Sequence, residues 1–135
     1  MKQQVAALPL MVGENGERRV YLLTSRETRR WVIPKGWPMK GLRRHEAAAR
    51  EAFEEAGLVG KIEKKPVGRY EYMKRVEDGF HICGVDVFLM AVKSRVDEFP
   101  EKGEREVVSV PLHEASERVI EPGLKAILQR LTSAG

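Results

Sequence analysis

Gly36-Trp37-Pro38-Met39-Lys40-Gly41-Leu42-Arg43-Arg44-His45-Glu46-Ala47-Ala48-Ala49-Arg50-Glu51-Ala52-Phe53-Glu54-Glu55-Ala56-Gly57-Leu58 is the most informative stretch of the chain. Glycine and proline mark its first third as irregular backbone. The Ala- and Glu-rich remainder predicts a helix over His45 to Ala56, with Gly57 where a C-terminal cap belongs. At about 100° per residue, Ala48, Ala49, Ala52, Phe53 and Ala56 fall on one arc, which is read as the buried face. Glu51, Glu54 and Glu55 fall on an adjacent arc, with Ala47 the only side chain between them.

That placement is electrostatically unfavourable. Glu51 lies three residues before Glu54 and four before Glu55, and each such like-charge pair costs a helix roughly 0.2–0.5 kcal/mol. The macrodipole favours acids in the first turn and bases in the last. Here Arg43, Arg44 and His45 stand at the start, and Glu54 and Glu55 at the end. Arg50 can offset part of the repulsion through i,i+4 pairs with Glu46 and Glu54. Two readings of the arc follow: an acidic solvated face, or a divalent-metal site. Carboxylate oxygens with water suit Mg²⁺ or Mn²⁺, and no His or Cys cluster points to zinc.

Outward from this stretch, the pattern predicts strands over Gln3 to Val12 and Arg18 to Thr24, joined by a Gly13-Glu14-Asn15-Gly16 turn. Trp31-Val32-Ile33 reads as a short strand stopped by Pro34. Val59 to Met73 reads as a strand broken near Pro66 to Gly68, Phe80 to Val96 as a long apolar strand, and Glu106 to Val110 as another. Helices are expected near Leu112 to Arg118 and over Pro122 to Leu131, the latter with Leu124, Ile127, Leu128 and Leu131 at helical spacing. Strands, helix, strands, helix argues for a layered α/β domain with mixed strand pairing.

The chain has 135 residues, 42% hydrophobic and 33% charged, with a formal net charge of +4. That suits one globular domain over residues 1–135 and favours anionic ligands only in a general way. A single cysteine, Cys83, cannot form an intrachain disulfide; it lies in an apolar run and reads as a small core residue in a reducing, cytoplasmic compartment. The run Val5 to Val12 reads as a strand, since only Lys2 supplies positive charge before it and Pro9 interrupts it. No run approaches the ~20 apolar residues of a membrane span. Basic residues are dispersed, which argues against nucleic acid as a partner.

Gly36 to Leu58 resembles the Nudix box, G-x5-E-x7-R-E-U-x-E-E-x-G-U, where U is apolar. Gly36, Arg50, Glu51, Ala52, Glu54, Glu55, Gly57 and Leu58 match in register, eight of the nine specified positions. Leu42 departs from the pattern, standing where the box has Glu. The resemblance implies an α/β/α sandwich around a mixed sheet. It also implies a Mg²⁺-dependent hydrolase, with Mn²⁺ able to substitute, that cleaves a pyrophosphate bond by attack of water on phosphorus. Glu51, Glu54 and Arg50 would be catalytic, with Arg50 orienting a glutamate. Glu51, Glu54 and Glu55 would bind metal, with a backbone carbonyl near Gly36. A further Glu after the long strand is expected, Glu106 first and Glu104 second, two apart on one strand face. Lys35, Lys40, Arg43, Arg44 and Glu104 would meet substrate. Arg30 to Gly36 and Lys102 to Glu106 look most like the branch that hydrolyses diphosphoinositol polyphosphates and diadenosine polyphosphates. The alternatives are a non-cleaving nucleotide- or nucleotide-sugar-sensing module, kept open by Leu42, or an RNA 5′-pyrophosphohydrolase. A small-molecule phosphoanhydride is the expected partner, and the chain a monomer or homodimer.

Overall fold

The computed structural model describes residues 1–134. One mixed sheet forms its centre, with strands in the order β3-β2-β1-β7-β5. These are β1 (Lys2–Val12), β2 (Arg18–Thr24), β3 (Trp31–Val32), β5 (Leu58–Ile62) and β7 (Gly79–Arg95). Off this path β4 (Lys35–Gly36) pairs with β1, β6 (Gly68–Val76) with β7, and β8 (Val107–Pro111) with β2. Only β1 and β7 run parallel, from Lys2 opposite Cys83 to Leu10 opposite Ala91, so the expected mixed sheet is observed.

Strand β1 lies at the centre and is apolar on both faces, as a doubly covered strand must be. Ala6 and Leu8 join the core beneath α2 (Leu112–Arg118) and α3 (Pro122–Ser133), while Val5 and Ala7 join the core beneath α1 (Arg44–Ala56). Pro9 does not interrupt the strand. The amide of Ala7 donates away from β7, to the Pro34 carbonyl at 3.0 Å. By alternation the nitrogen of Pro9 faces the same way, into the gap between the β4 and β2 pairings, where no ladder bond is lost.

Most expected elements appear within a residue or two of their predicted bounds. Three differences matter. Beyond Pro34, Lys35 and Gly36 rejoin the sheet as β4. The break near Pro66 divides the expected single strand into β5 and β6, which lie end to end along the same side of β7. Residues 104–106 are loop and β8 begins at Val107, so Glu104 and Glu106 do not share a strand face.

Candidate active site around the carboxyl half of helix α1

Helix α1 begins with the amide of Arg43 bonded to the Glu46 carboxylate at 2.7 Å, half of a capping box. It ends at Gly57, whose left-handed backbone (φ 68°, ψ 22°) suits a residue without Cβ. A Cβ there would also press on the Val96 carbonyl and the Phe99 ring, each at 2.6 Å. The chain leaving β7 thus folds back against the end of α1, held by Val96 N–H to Gly57 O at 2.8 Å and Glu101 N–H to Glu54 O at 2.9 Å.

The buried side chains of α1 are Ala47, Ala48, Ala52, Glu55 and Ala56. This shifts the arc expected from the sequence: Ala49 and Phe53 are only half-buried, and Glu55, expected beside the buried face, lies in the middle of it. The cause is tertiary. Four alanines with no exposed surface let the helix approach the sheet closely, and Glu55, one turn below Ala52, is carried inward with them.

Glu55 is 5% exposed. Burial, then a hydrogen bond to Glu51, push its carboxyl up to about 9, against the opposing pull of Arg105. Glu51 is also raised, chiefly by burial. Both carboxyls of the pair are thus held above the ordinary carboxylate range, Glu55 the more strongly because it is the more deeply buried. The Glu51 carboxylate fills the space a Cβ on residue 36 would take. Only glycine admits it, and that explains Gly36 in chemical terms. Glu54 is half-exposed on the outer side of the pair.

Two residues not singled out in the sequence complete the surroundings. Arg105, 11% exposed along its side chain, stands 3.9 Å from Glu55 and 3.3 Å from Glu101. It also donates to the Thr24 carbonyl at 3.2 Å, and its Nε is buried without a partner among the described residues. Glu101 adds negative charge that raises both Glu51 and Glu55. Neither lies in the box. The loop 96–106, tied to α1 by Gly57 and Glu54, delivers them.

Other expected residues stand elsewhere. The Glu106 side chain is exposed, and the residue is fixed through its backbone, N–H to Thr24 Oγ1 at 3.0 Å. Glu104 is exposed and pairs with Arg26 at 3.1 Å. Arg50 is exposed and pairs with no carboxylate among the described residues. Lys35 sits opposite Ala6, so it faces the α2–α3 side of the sheet, while Gly36, opposite Val5, faces α1. The ammonium of Lys35 lies 5.1 Å from the centre of the Tyr72 ring, and burial pushes its pKa down. The guanidinium of Arg44 is engaged by Asp86, which also holds Arg69 at 3.0 Å. Lys40 and Arg43 are exposed at the mouth of the loop. Leu42 packs partly buried against the core beneath α1. Trp31 is half-buried under the Arg118 guanidinium, Trp37 is largely exposed, and Cys83 is buried, as a small core residue should be. Both His81 and His113 are exposed.

Among the described residues, no three His, Cys, Asp or Glu side chains are gathered tightly enough to hold an ion as they stand. The nucleus is the Glu51–Glu55 carboxyl pair, both raised by burial, with the half-exposed Glu54 beside it. Two carboxylates in contact, one of them beside a glycine backbone, are a donor set that suits a hard divalent cation. No helix among the described residues is long and apolar enough to cross a membrane.

Comparison with known proteins bears on the family and the fold. The family model described as NUDIX domain matches residues 2–131. Nudix hydrolase 18, mitochondrial, of Arabidopsis thaliana is 27% identical over 141 residues, covering 97% of this chain and 78% of that protein. Nudix hydrolase 12, mitochondrial, of the same plant is 32% identical over 73% of this chain, which spans half of that relative's length. Among solved structures, a Caenorhabditis elegans Ap4A hydrolase binary complex superposes with a TM-score of 0.69 at 16% identity, over 98% of this chain and 96% of that one. The NUDIX domain of Shewanella oneidensis NrtR complexed with ADP ribose gives 0.66 at 16% identity, over 100% and 89%. At such identities the structures speak for the fold. A family model spanning almost the whole chain, on a sheet and helix of this arrangement, places the chain in the NUDIX family as a Nudix pyrophosphohydrolase.

Proposed function

We propose that the chain is a Mg²⁺-dependent enzyme that cleaves the phosphoanhydride of a diadenosine polyphosphate or diphosphoinositol polyphosphate-like substrate. The observation that carries this reading is the burial of Glu55 against Glu51, with the Glu51 carboxylate seated against Gly36. A buried acid pair that must share a proton is destabilising on its own and becomes favourable when a cation replaces the proton.

In this reading Glu51, Glu54 and Glu55 hold the ion, with the Gly36 backbone beside them. Bound there, Mg²⁺ supplies neutralisation of pyrophosphate charge and a more acidic water. Glu54 or Glu51 accepts the proton of the attacking water. Arg105, held by Glu101 and the Thr24 carbonyl, keeps positive charge beside Glu55 and favours its ionised form. Lys40 and Arg43 are free to meet phosphate oxygens at the loop mouth, and Arg50 is free to reorient toward a glutamate once substrate is present. Arg44 serves through its hold on Asp86. A reducing cytoplasmic setting suits the single buried cysteine.

The test is a phosphate-release assay over diadenosine polyphosphates, diphosphoinositols, ADP-ribose, nucleoside triphosphates and triphosphorylated RNA, with Mg²⁺, Mn²⁺ or EDTA. The reading expects chelator-sensitive cleavage, fastest on one of the first two classes. Turnover that ignores chelator contradicts the metal assignment, and tight binding without cleavage of any substrate favours the sensing alternative.

A further inference from the structure

Strand β6 is an open edge. Among the described residues it pairs with β7 alone, from Gly68 opposite Val87 to Val76 opposite Gly79. The two-residue turn Glu77-Asp78 makes Val76–Gly79 a hydrogen-bonded pair. Pairs alternate from there, so Arg69, Glu71, Met73 and Arg75 turn their N–H and C=O groups outward. An edge with this many free groups is a template for another strand. The same odd-numbered residues share one face, where Met73 is 64% exposed, with its β7 neighbour Ile82 at 49% and Phe80, opposite Arg75, at 61%.

We propose that this edge pairs with a second copy of the chain, β6 against β6 antiparallel, about a two-fold axis at Met73. Charge selects the register. Pairing the outward-facing residues requires the numbers of opposed residues to sum to an even value, which leaves few choices. An axis at Tyr72 sets Arg69 against Arg75 of the partner subunit. An axis at Glu71 sets that residue against its own copy, and an axis at Arg75 does the same. An axis at Lys74 opposes Glu71 to Glu77 of the partner subunit, and an axis at Tyr70 pairs Arg69 with Glu71 of the partner subunit but overlaps the strands over residues 68–72 alone, leaving Met73 and Arg75 outside the pairing. Only the axis at Met73 opposes Glu71 to Arg75 of the partner subunit and Arg69 to Glu77 of the partner subunit, each twice by symmetry. On the other face it brings Tyr72 to Lys74 of the partner subunit. It also joins Ile82 and Met73 to the same residues of the second copy, one apolar row across four strands. Within one copy Glu71, Arg75 and Glu77 make no ion pair among the described residues, so dimerisation gives these charges their partners. The occupant is a second copy and not another protein because the edge is complementary to itself.

Sedimentation velocity across a wide concentration range tests this. Wild type is expected to show a concentration-dependent monomer–dimer equilibrium. Glu71→Arg alone and Arg75→Glu alone each replace two attractive pairs by two repulsive ones and should weaken dimerisation by at least about tenfold. The double variant Glu71→Arg with Arg75→Glu should restore it. Met73→Cys should give a disulfide-linked dimer on mild oxidation, since opposed Cα atoms in such a pair lie about 5.5 Å apart, whereas Arg75→Cys should not. Melting curves matching wild type show that the variants are folded. A strictly monomeric wild type overturns the proposal, as does a dimer that survives both single reversals or a double variant that stays monomeric.

Discussion

Beneath α2 and α3 the sheet presents Leu8, Val20, Leu22, Ile33, Tyr70, Val85 and Val87 to Leu112, Leu124, Ile127 and Leu128. Beneath α1 it presents Val5, Ala7, Leu23, Phe88 and Met90 to four alanines, and a glutamate is buried among them. The first face is mostly branched aliphatic, with Tyr70 among the larger side chains, the composition expected where burial serves stability. The second gives up side-chain volume so that a helix can come close, and the closeness carries an acid inside. A site for a hard cation needs carboxylates held at short range, which a face of large apolar side chains would not provide. Under the proposed function the two faces divide the work: one holds the fold and the other would hold the chemistry.

The sharpest way to break that division is Glu55→Gln. It should lower kcat/KM by on the order of a thousandfold, about 4 kcal/mol of transition-state stabilisation, with a melting temperature no lower than wild type. Steady-state kinetics and a thermal melt on the same sample decide it; near-normal turnover removes Glu55 from the site. The converse variant is Leu128→Ala, on the fully buried side of α3. It should cost about 2–5 kcal/mol of stability, read by denaturant unfolding, while kcat below its melting temperature stays near wild type.

Gly36→Ala probes the seam between the faces. A methyl group there meets the Glu51 carboxylate, so activity should fall by roughly 10–100-fold as the acid is displaced; unchanged kinetics would mean that the seating of Glu51 is incidental. The smallest effect is pH-linked. Glu55 titrates near 9 in the folded chain against an ordinary 4.5. Between those values the native state holds a proton that the unfolded chain has released, so stability is greatest at low pH and falls as pH rises toward 9. In EDTA, wild type should lose stability over that window relative to Glu55→Gln, measured by melts at several pH values. A parallel decline in both proteins would contradict the burial of the charge.

The box and the element order were legible in the sequence because they are local: Gly57 marks the helix end, and the 3.6-residue period sets which side chains line up. Burial of Glu55 was not, since a wheel ranks residues by polarity and cannot register how closely four alanines let α1 approach β1. Arg105 and Glu101 stayed hidden for a related reason. They reach the acids through two backbone bonds from loop to helix, and nothing in residues 99–105 announces those bonds. Glu104 and Glu106 stand out in the sequence through the resemblance, which implies a Glu after the long strand, but the chain turns there instead of extending. Lys35 reads as loop in the sequence, and only the pairing of β4 with β1 turns its side chain to the face away from the acids.

In the proposed site Glu51 and Glu55 hold a proton between them that a divalent ion displaces. Calorimetric titration of the chain with Mg²⁺ near neutral pH, in two buffers of different ionisation heat, measures this directly. Release of about one proton per bound ion is expected for wild type, and essentially none for Glu55→Gln, with weaker binding. Ion binding by wild type with no proton released, or equally tight binding by Glu55→Gln, would contradict it.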